Sequence, residues 1–207
     1  VPISVLQRGC IRFEPPLPQP KVAAIGRVRM GNAIKLVMQF SRRFWRDDMY
    51  DVVCPGEFVP EFWMLDHPIT DPTAGPPNVM IGFLAGENAD GASALGSETS
   101  QRLFLEQLDK IYGSESDPRP ASSSLVRGQM VDWSKEQYVY GAYTYPSFGA
   151  ELGDRSLIAA PLASRLFFAG EATNEAINPC MQGAMQTAER AAAQIKAALS
   201  AAPRSKL

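Results

Sequence analysis

The segment Leu166-Phe167-Phe168-Ala169-Gly170-Glu171-Ala172-Thr173, with Gly183-Ala184 opening a small-residue helix further on, constrains this chain more than any other stretch. Read physically, a short apolar run that can form a buried strand enters a glycine turn carrying one carboxylate. A helix from about Met181 to Ala201 follows, and its first N–H groups point back at the turn. The pattern alone fits an ordinary strand–loop–helix crossover as well as a site for a negative or polarised acceptor. The positions Ala184, Met185, Ala188, Ala191, Ala192, Ile195 and Leu199 predict a mostly alanine face that lies close to its neighbour.

Composition narrows the function classes. The chain has 207 residues, 45% of them hydrophobic and 20% charged, with no composition shift that marks a linker. A chain this long can bury roughly 70% of its unfolded surface, so a real core is expected. There are 22 acidic and 20 basic residues, so no basic excess exists to hold phosphate backbones, which disfavours nucleic acid as a partner. The single histidine, His67, beside Pro68, excludes multi-histidine metal sites and reads as a loop residue. Cys10, Cys54 and Cys180 form no CxxC pair, so neither zinc nor a disulfide framework is expected, and a reducing compartment fits. No apolar run reaches membrane-span length. The final residues, Ser205-Lys206-Leu207, match a peroxisomal import tripeptide. The stretch before it, Ala201-Ala202-Pro203-Arg204, is expected to fray and leave the tripeptide open to an import receptor.

Along the chain, Val1 reads as a strand already in progress. Residues 1–20 hold five of the 17 prolines, a density that predicts extended structure and turns with no helix. Ala33–Phe40 predicts a strand with Ile34, Leu36, Met38 and Phe40 on one face and Ala33, Lys35, Val37 and Gln39 on the other. Val79–Ala85 predicts a second strand. From Glu98 to Tyr112 the positions Leu103, Phe104, Leu108 and Ile111 recur at helical spacing, with Ser97 as N-cap and Gly113 as stop. Residues 114–125 read as a loop, Tyr138–Tyr145 as extended, and Leu166–Ala169 as a short buried strand.

The glycine–glutamate segment closely resembles the C-terminal flavin-binding motif of the flavin-containing amine oxidases, a family that includes polyamine oxidases, monoamine oxidases and flavin-dependent histone demethylases. Further motifs follow the family's order: Val1-Pro2-Ile3-Ser4-Val5-Leu6 with Ile11 to Pro18, then Met30-Gly31-Asn32-Ala33-Ile34-Lys35 with Phe44-Trp45, then Trp133, Glu136, Gly141, Ala142 and Tyr143. The resemblance implies an α+β fold: a mixed-sheet substrate domain plus the closing strand–helix of a Rossmann-like FAD-binding domain. Its segments would be a lead-in at 1–20, a substrate-binding domain at 21–130, a C-terminal FAD-binding segment at 131–202 and a targeting tail at 203–207. The family's Gly-x-Gly-x-x-Gly nucleotide cradle has no counterpart here, since Gly82, Gly86, Gly91 and Gly96 lack that spacing. The chain alone is therefore expected not to hold FAD tightly, the missing N-terminal half being a required partner.

Residue roles follow from the same resemblance. Lys35, which pattern alone reads as solvated, matches the lysine that holds a water near flavin N5. Tyr143, otherwise a packing residue, matches one wall of an aromatic cage for the substrate amine. The second wall falls on the aliphatic Ile177, and Cys180 falls on the substrate side or is an inert thiol. Gly170, Glu171 (toward the ribityl hydroxyls), Met181 (by its backbone N–H), Pro2, Trp133 and Tyr138 match cofactor contacts. The implied reaction is amine oxidation, of polyamines or acetylpolyamines, with O2 reduced to H2O2. An amino-acid or other amine oxidase of the same superfamily and an inactive truncated isoform acting as a binding module stay open beside it.

Overall fold

The computed structural model describes residues 1–65 and 77–201. His67 and Ser205, Lys206 and Leu207 lie outside the described residues. In chain order the elements are α1 (Ile3–Gln7), α2 (Gln19–Arg27), β1 (Val28–Gly31), β2 (Ala33–Phe40), β3 (Asp51–Val53), β4 (Glu61–Met64) and β5 (Val79–Ala85). Then come α3 (Gly86–Leu95), α4 (Ser97–Tyr112), α5 (Pro120–Ser124), β6 (Leu125–Asp132), β7 (Tyr143–Pro146), α6 (Asp154–Ala159), a 3-10 turn at Glu171–Thr173 and α7 (Met181–Ala201). They form two compact units: residues 1–31 with the segment from Lys135 onward, and Asn32–Ser134. Residues 21–31, which hold most of helix α2 and all of strand β1, belong to the first unit.

The second unit is a five-stranded sheet in the order β3-β4-β5-β2-β6. The α+β class holds, but every ladder of this sheet is antiparallel rather than mixed. Strands β2 and β5 coincide with the alternating runs. Ile34, Leu36, Met38 and Phe40 are buried, while Lys35 and Val37 are half-buried and Gln39 is exposed. Helix α4 covers the buried face with Phe104 and Leu108, and Phe104 meets Phe62 edge-on at 5.7 Å between ring centroids. Each such ring or aliphatic chain contributes about 1.5–3 kcal/mol by leaving water. The buried stripe of α4 is Ser100, Phe104, Gln107 and Leu108; Ile111 is exposed. Gln107 earns its buried place by bonding both backbone groups of Val59, Nε2 to the carbonyl at 2.9 Å and the N–H to Oε1 at 2.8 Å. Gly96, not Ser97, is the N-cap of α4. The expected loop at 114–125 contains α5, because Pro120 suits a first turn and the Asp109 carboxylate accepts the N–H groups of Ala121 and Ser122.

The first unit departs further from the apolar pattern. Residues 3–7 are helical rather than strand-like, with Pro2 as N-cap, and α2 carries Pro20 in its first turn. Neither proline is asked for an intrahelical N–H bond there, so the proline density does not exclude helix. A small core gathers Ile3, Ala24, Ile25, Val28, Ile158 and Ala172. Polar bonds complete the unit. Lys21, 3% exposed, donates to the carbonyls of Leu157, Ile158 and Ala160 at 2.6–2.8 Å, closing the C-terminal end of α6. Burial pushes its amine down to about 8, so it is still largely charged at neutral pH. Arg27 grips Asp154 with two nitrogens, Nε at 2.9 Å from Oδ2, and this guanidinium bond holds the Asp154 carboxyl below the usual range.

Three further expectations are corrected in this unit. Leu166–Ala169 is no strand: Leu166 makes a single bridge to Leu162, and without a neighbouring ladder the run stays half-exposed. Tyr138–Tyr145 is extended only from Tyr143. Before it the chain turns, with the N–H groups of Val139 and Tyr140 on the Glu136 carbonyl and left-handed backbone at Tyr138 and Tyr140 (φ 64° and 53°). Helix α7 has the expected bounds but buries Gly183, Thr187 and Ala191. The face with Met185, Ala192, Ile195 and Leu199 is exposed, because the bonds described next turn the other side of the helix inward.

Candidate functional site

Within the first unit, Gly170 starts the site. Its backbone has φ 134° and ψ 162°, a region open to glycine alone, and a Cβ built there meets no atom within 4 Å. The glycine therefore leaves a bare stretch of main chain facing open space. That space is a cavity of about 570 Å3, within the range of small-molecule sites, lined by Pro2, Phe13, Val139, Phe168, Gly170 and Glu171 among others. Its wall is mostly apolar, and the Glu171 side chain is its carboxylate.

Three side chains hold the Gly170 turn and the loop after it against α7. Thr187 Oγ1 accepts the Gly170 N–H at 2.9 Å. Arg190 donates to the carbonyls of Phe168 and Thr173, at 2.9 and 3.0 Å. Asn174 accepts the N–H groups of Ala176 and Ile177 on Oδ1 and donates from Nδ2 to the Gly183 carbonyl and Gln186 Oε1. The loop then lies so close to the helix that a Cβ on Gly183 would sit 1.8 Å from the Ile177 carbonyl oxygen. These bonds, rather than apolar contact, set which face of α7 turns inward.

The cavity brings together Pro2, Gly170 and Glu171 among the sequence-derived residues. Met181 is the first residue of α7 and 74% exposed, so its N–H belongs to the helix end where donors lack intrahelical partners. Tyr143 stands on β7 opposite Gly31, its ring exposed; Tyr138 is exposed at its turn. Ile177 is exposed and Cys180 half-buried, both on the loop before α7, and none of these five lines the cavity. Cys10, Cys54 and Cys180 are free thiols, and among the described residues no three His, Cys, Asp or Glu side chains gather as a metal site.

Lys35 and Trp133 belong to the second unit. Lys35 sits on β2 between Phe83 of β5 and Val131 of β6, its Nζ 5.5 Å from the centre of the Trp63 ring. Trp63 stacks on Phe83 at 5.2 Å and donates its indole N–H to Glu61 at 2.7 Å. The lysine is thus half-buried beside an electron-rich surface instead of being free in solvent. Trp133 follows β6, bonded through its N–H to the Ala33 carbonyl, with a partly exposed ring.

Sequence reasoning missed Thr144, Arg155, Thr187 and Arg190. Thr144 Oγ1 donates to Glu171 Oε2 at 2.6 Å and accepts from Arg155 Nη1 at 2.9 Å. A threonine between two tyrosines carries no signal until the pleat is known: β7 buries Thr144 and exposes Tyr143 and Tyr145. The residues present fit a flavin. Bare glycine backbone admits close approach, a carboxylate suits a polyol, and a long helix offers its N-terminal N–H groups to a polarised ring edge. Among the described residues no helix is long and apolar enough to cross a membrane.

Comparison with known proteins agrees. The sequence profile described as "Flavin containing amine oxidoreductase" matches residues 1–196. The "Lysine-specific histone demethylase 1 homolog 1" of Oryza sativa subsp. japonica is 31% identical over 178 residues, covering 84% of this chain and 20% of that protein. "Probable polyamine oxidase 4" of Arabidopsis thaliana is 30% identical over 175 residues, covering 84% and 33%. The human "Peroxisomal N(1)-acetyl-spermine/spermidine oxidase" is 30% identical over 182 residues, covering 78% and 34%. The chain thus spans a third or less, or little more than a third, of these relatives. Among solved structures, cyclohexylamine oxidase from Brevibacterium oxydans IH-35A superposes with a TM-score of 0.75 at 25% identity, over 97% of this chain and 42% of that one. A glycine–carboxylate turn seated on a long helix, matched by the family profile over nearly the whole chain, has one reading: the chain belongs to the flavin-containing amine oxidoreductases, whose cofactor is FAD.

Proposed function

We propose that this chain is the C-terminal part of a peroxisomal FAD-dependent oxidase that acts on polyamines or their acetylated forms and reduces O2 to H2O2. The observation that carries the reading is Glu171 on the wall of the 570 Å3 cavity, beside a Gly170 whose backbone is open to approach. Relatives named as a polyamine oxidase and a peroxisomal acetyl-spermine/spermidine oxidase support the substrate class and compartment. The tripeptide Ser205-Lys206-Leu207 matches an import signal of that compartment. In this proposal the nucleotide cradle is supplied outside these 207 residues.

Bound FAD supplies the two-electron acceptor for a C–H bond beside a neutral amine. Glu171 would accept the ribityl hydroxyls, and Pro2, Trp133 and Tyr138 are the further cofactor contacts proposed. The Met181 N–H, at the positive end of α7, stabilises negative charge at the pyrimidine edge. Tyr143 offers the amine an electron-rich wall, while Ile177 gives the opposite side an aliphatic surface near Cys180. Lys35 holds and polarises a water that hydrolyses the imine product, and its charge favours electron transfer to O2.

The test is H2O2 release by the longest gene product containing this chain, given spermine, spermidine, their acetylated forms and a methyl-lysine peptide. Release with the polyamine set is expected; an FAD-loaded protein inert toward every one of those polyamines would contradict the proposal. Lys35→Met is expected to slow turnover by orders of magnitude with FAD still bound, and unchanged turnover would remove Lys35 from the mechanism.

A further inference from the structure

Thr144 and Arg155 form a buried polar chain that ends on the carboxylate of the cavity. Thr144 is 1% exposed and Arg155 8% exposed. A guanidinium only donates, so Thr144 Oγ1 must accept from Arg155 Nη1. The one hydroxyl hydrogen is then committed to Glu171 Oε2. Among the described residues Glu171 Oε1 accepts no hydrogen bond, and Glu171 is one of the residues that line the cavity. The chain therefore gives one oxygen of Glu171 a fixed donor and leaves the other without one from the described residues.

The arrangement is costly as a structural device. Arg155 has no carboxylate within ion-pair distance among the described residues; its other contact is the Glu171 carbonyl at 3.4 Å, and its buried Nη2 has no partner. A buried guanidinium compensated so thinly contributes little to folding. It does fix the direction of the Thr144 hydroxyl, and through it the rotamer of Glu171.

We infer that Thr144 and Arg155 are positioning residues for the flavin's polyol arm: they orient Glu171 so that its free oxygen accepts a ribityl hydroxyl. This rests on the flavin reading of the cavity and deepens it. Thr144→Val keeps the shape of the side chain and removes the relay, whereas Thr144→Ser keeps the hydroxyl. Arg155→Met removes the donor without burying a new charge.

The experiment is FAD titration, followed by flavin fluorescence, into the longest gene product containing this chain. Thr144→Val and Arg155→Met are expected to weaken FAD by about tenfold, the scale of one hydrogen bond, with Thr144→Ser close to wild type. In a Glu171→Gln background Thr144→Val is expected to add almost nothing, because both changes act on the same contact. Affinities unchanged in Thr144→Val, or effects that add in full to that of Glu171→Gln, would overturn the relay. Should Arg155→Met not fold, the Thr144→Val and Thr144→Ser pair decides alone. A wild-type protein that binds no FAD would instead overturn the flavin reading itself.

Discussion

The two units are held together by different physics. In Asn32–Ser134 the side chains that read as apolar stripes are the ones that meet: Leu36, Met38, Phe62, Met80, Phe104 and Leu108 share one core. In the other unit the longest helix turns Gly183, Thr187 and Ala191 inward and leaves Met181, Met185 and Leu199 at 74%, 63% and 71% exposure. What fixes it there is a set of directed bonds made by Asn174, Thr187 and Arg190. The hydrophobic effect is nondirectional and grows with area, so it writes a periodic signal into sequence. A single well-placed amide or guanidinium writes none.

That contrast can be broken at several points, and the tryptophans make it measurable. Trp45, Trp63 and Trp133 all lie in the second unit, so their fluorescence follows its melting, while backbone hydrogen exchange follows the first unit. The largest loss is expected from Phe104→Ala, about 3–5 kcal/mol for an aromatic ring removed from a filled core. It should lower the tryptophan-reported transition; a shift below about 1 kcal/mol would mean the core is not where the sheet's stability lies.

Lys21→Met comes next. It leaves three carbonyls without their shared donor, and a loss of about 2 kcal/mol is expected, read as faster exchange through α2 and α6. Protection unchanged in those helices would show that apolar contacts suffice. Asn174→Ala is expected to cost about 1–2 kcal/mol and to free the loop before α7, while leaving the tryptophan signal untouched.

A pH titration gives a graded test. Arg27 holds the Asp154 carboxyl below its ordinary range, so at low pH the unfolded chain binds a proton that the folded one resists. The stability this bond contributes is fully present above about pH 4 and is lost as pH falls through the folded-state value. Arg27→Gln should flatten the acid dependence of exchange in α6; an unaltered profile would remove that ion pair from the account. The smallest effect is reserved for the outward face of α7. Met185→Glu or Leu199→Lys should change stability by no more than about 0.5 kcal/mol in the isolated 207-residue chain, against about 2–5 kcal/mol for Leu108→Ala on α4.

The same division explains what was legible. Strands β2 and β5 and the bounds of α7 were readable because alternation and helical spacing extend over enough residues to exclude other periods. Which face of α7 is buried was not, because Gly183 admits the Ile177 carbonyl by lacking a side chain and Thr187 caps Gly170 with a hydroxyl. Gly170 and Glu171 were found by their motif, and Pro2 by the motif at the chain's start. Thr144 and Arg155 were invisible, since the strand that carries Thr144, β7, pairs with β1, over a hundred positions earlier in the chain.

The measurement that bears most directly on the account is FAD affinity with Glu171 altered. In the longest gene product containing this chain, Glu171→Ala is expected to weaken FAD roughly tenfold to a hundredfold, the scale of charge-assisted bonds to a polyol, with the tryptophan-reported transition unmoved. Wild-type affinity in that variant would contradict the placing of the flavin's polyol arm at the Gly170–Glu171 cavity.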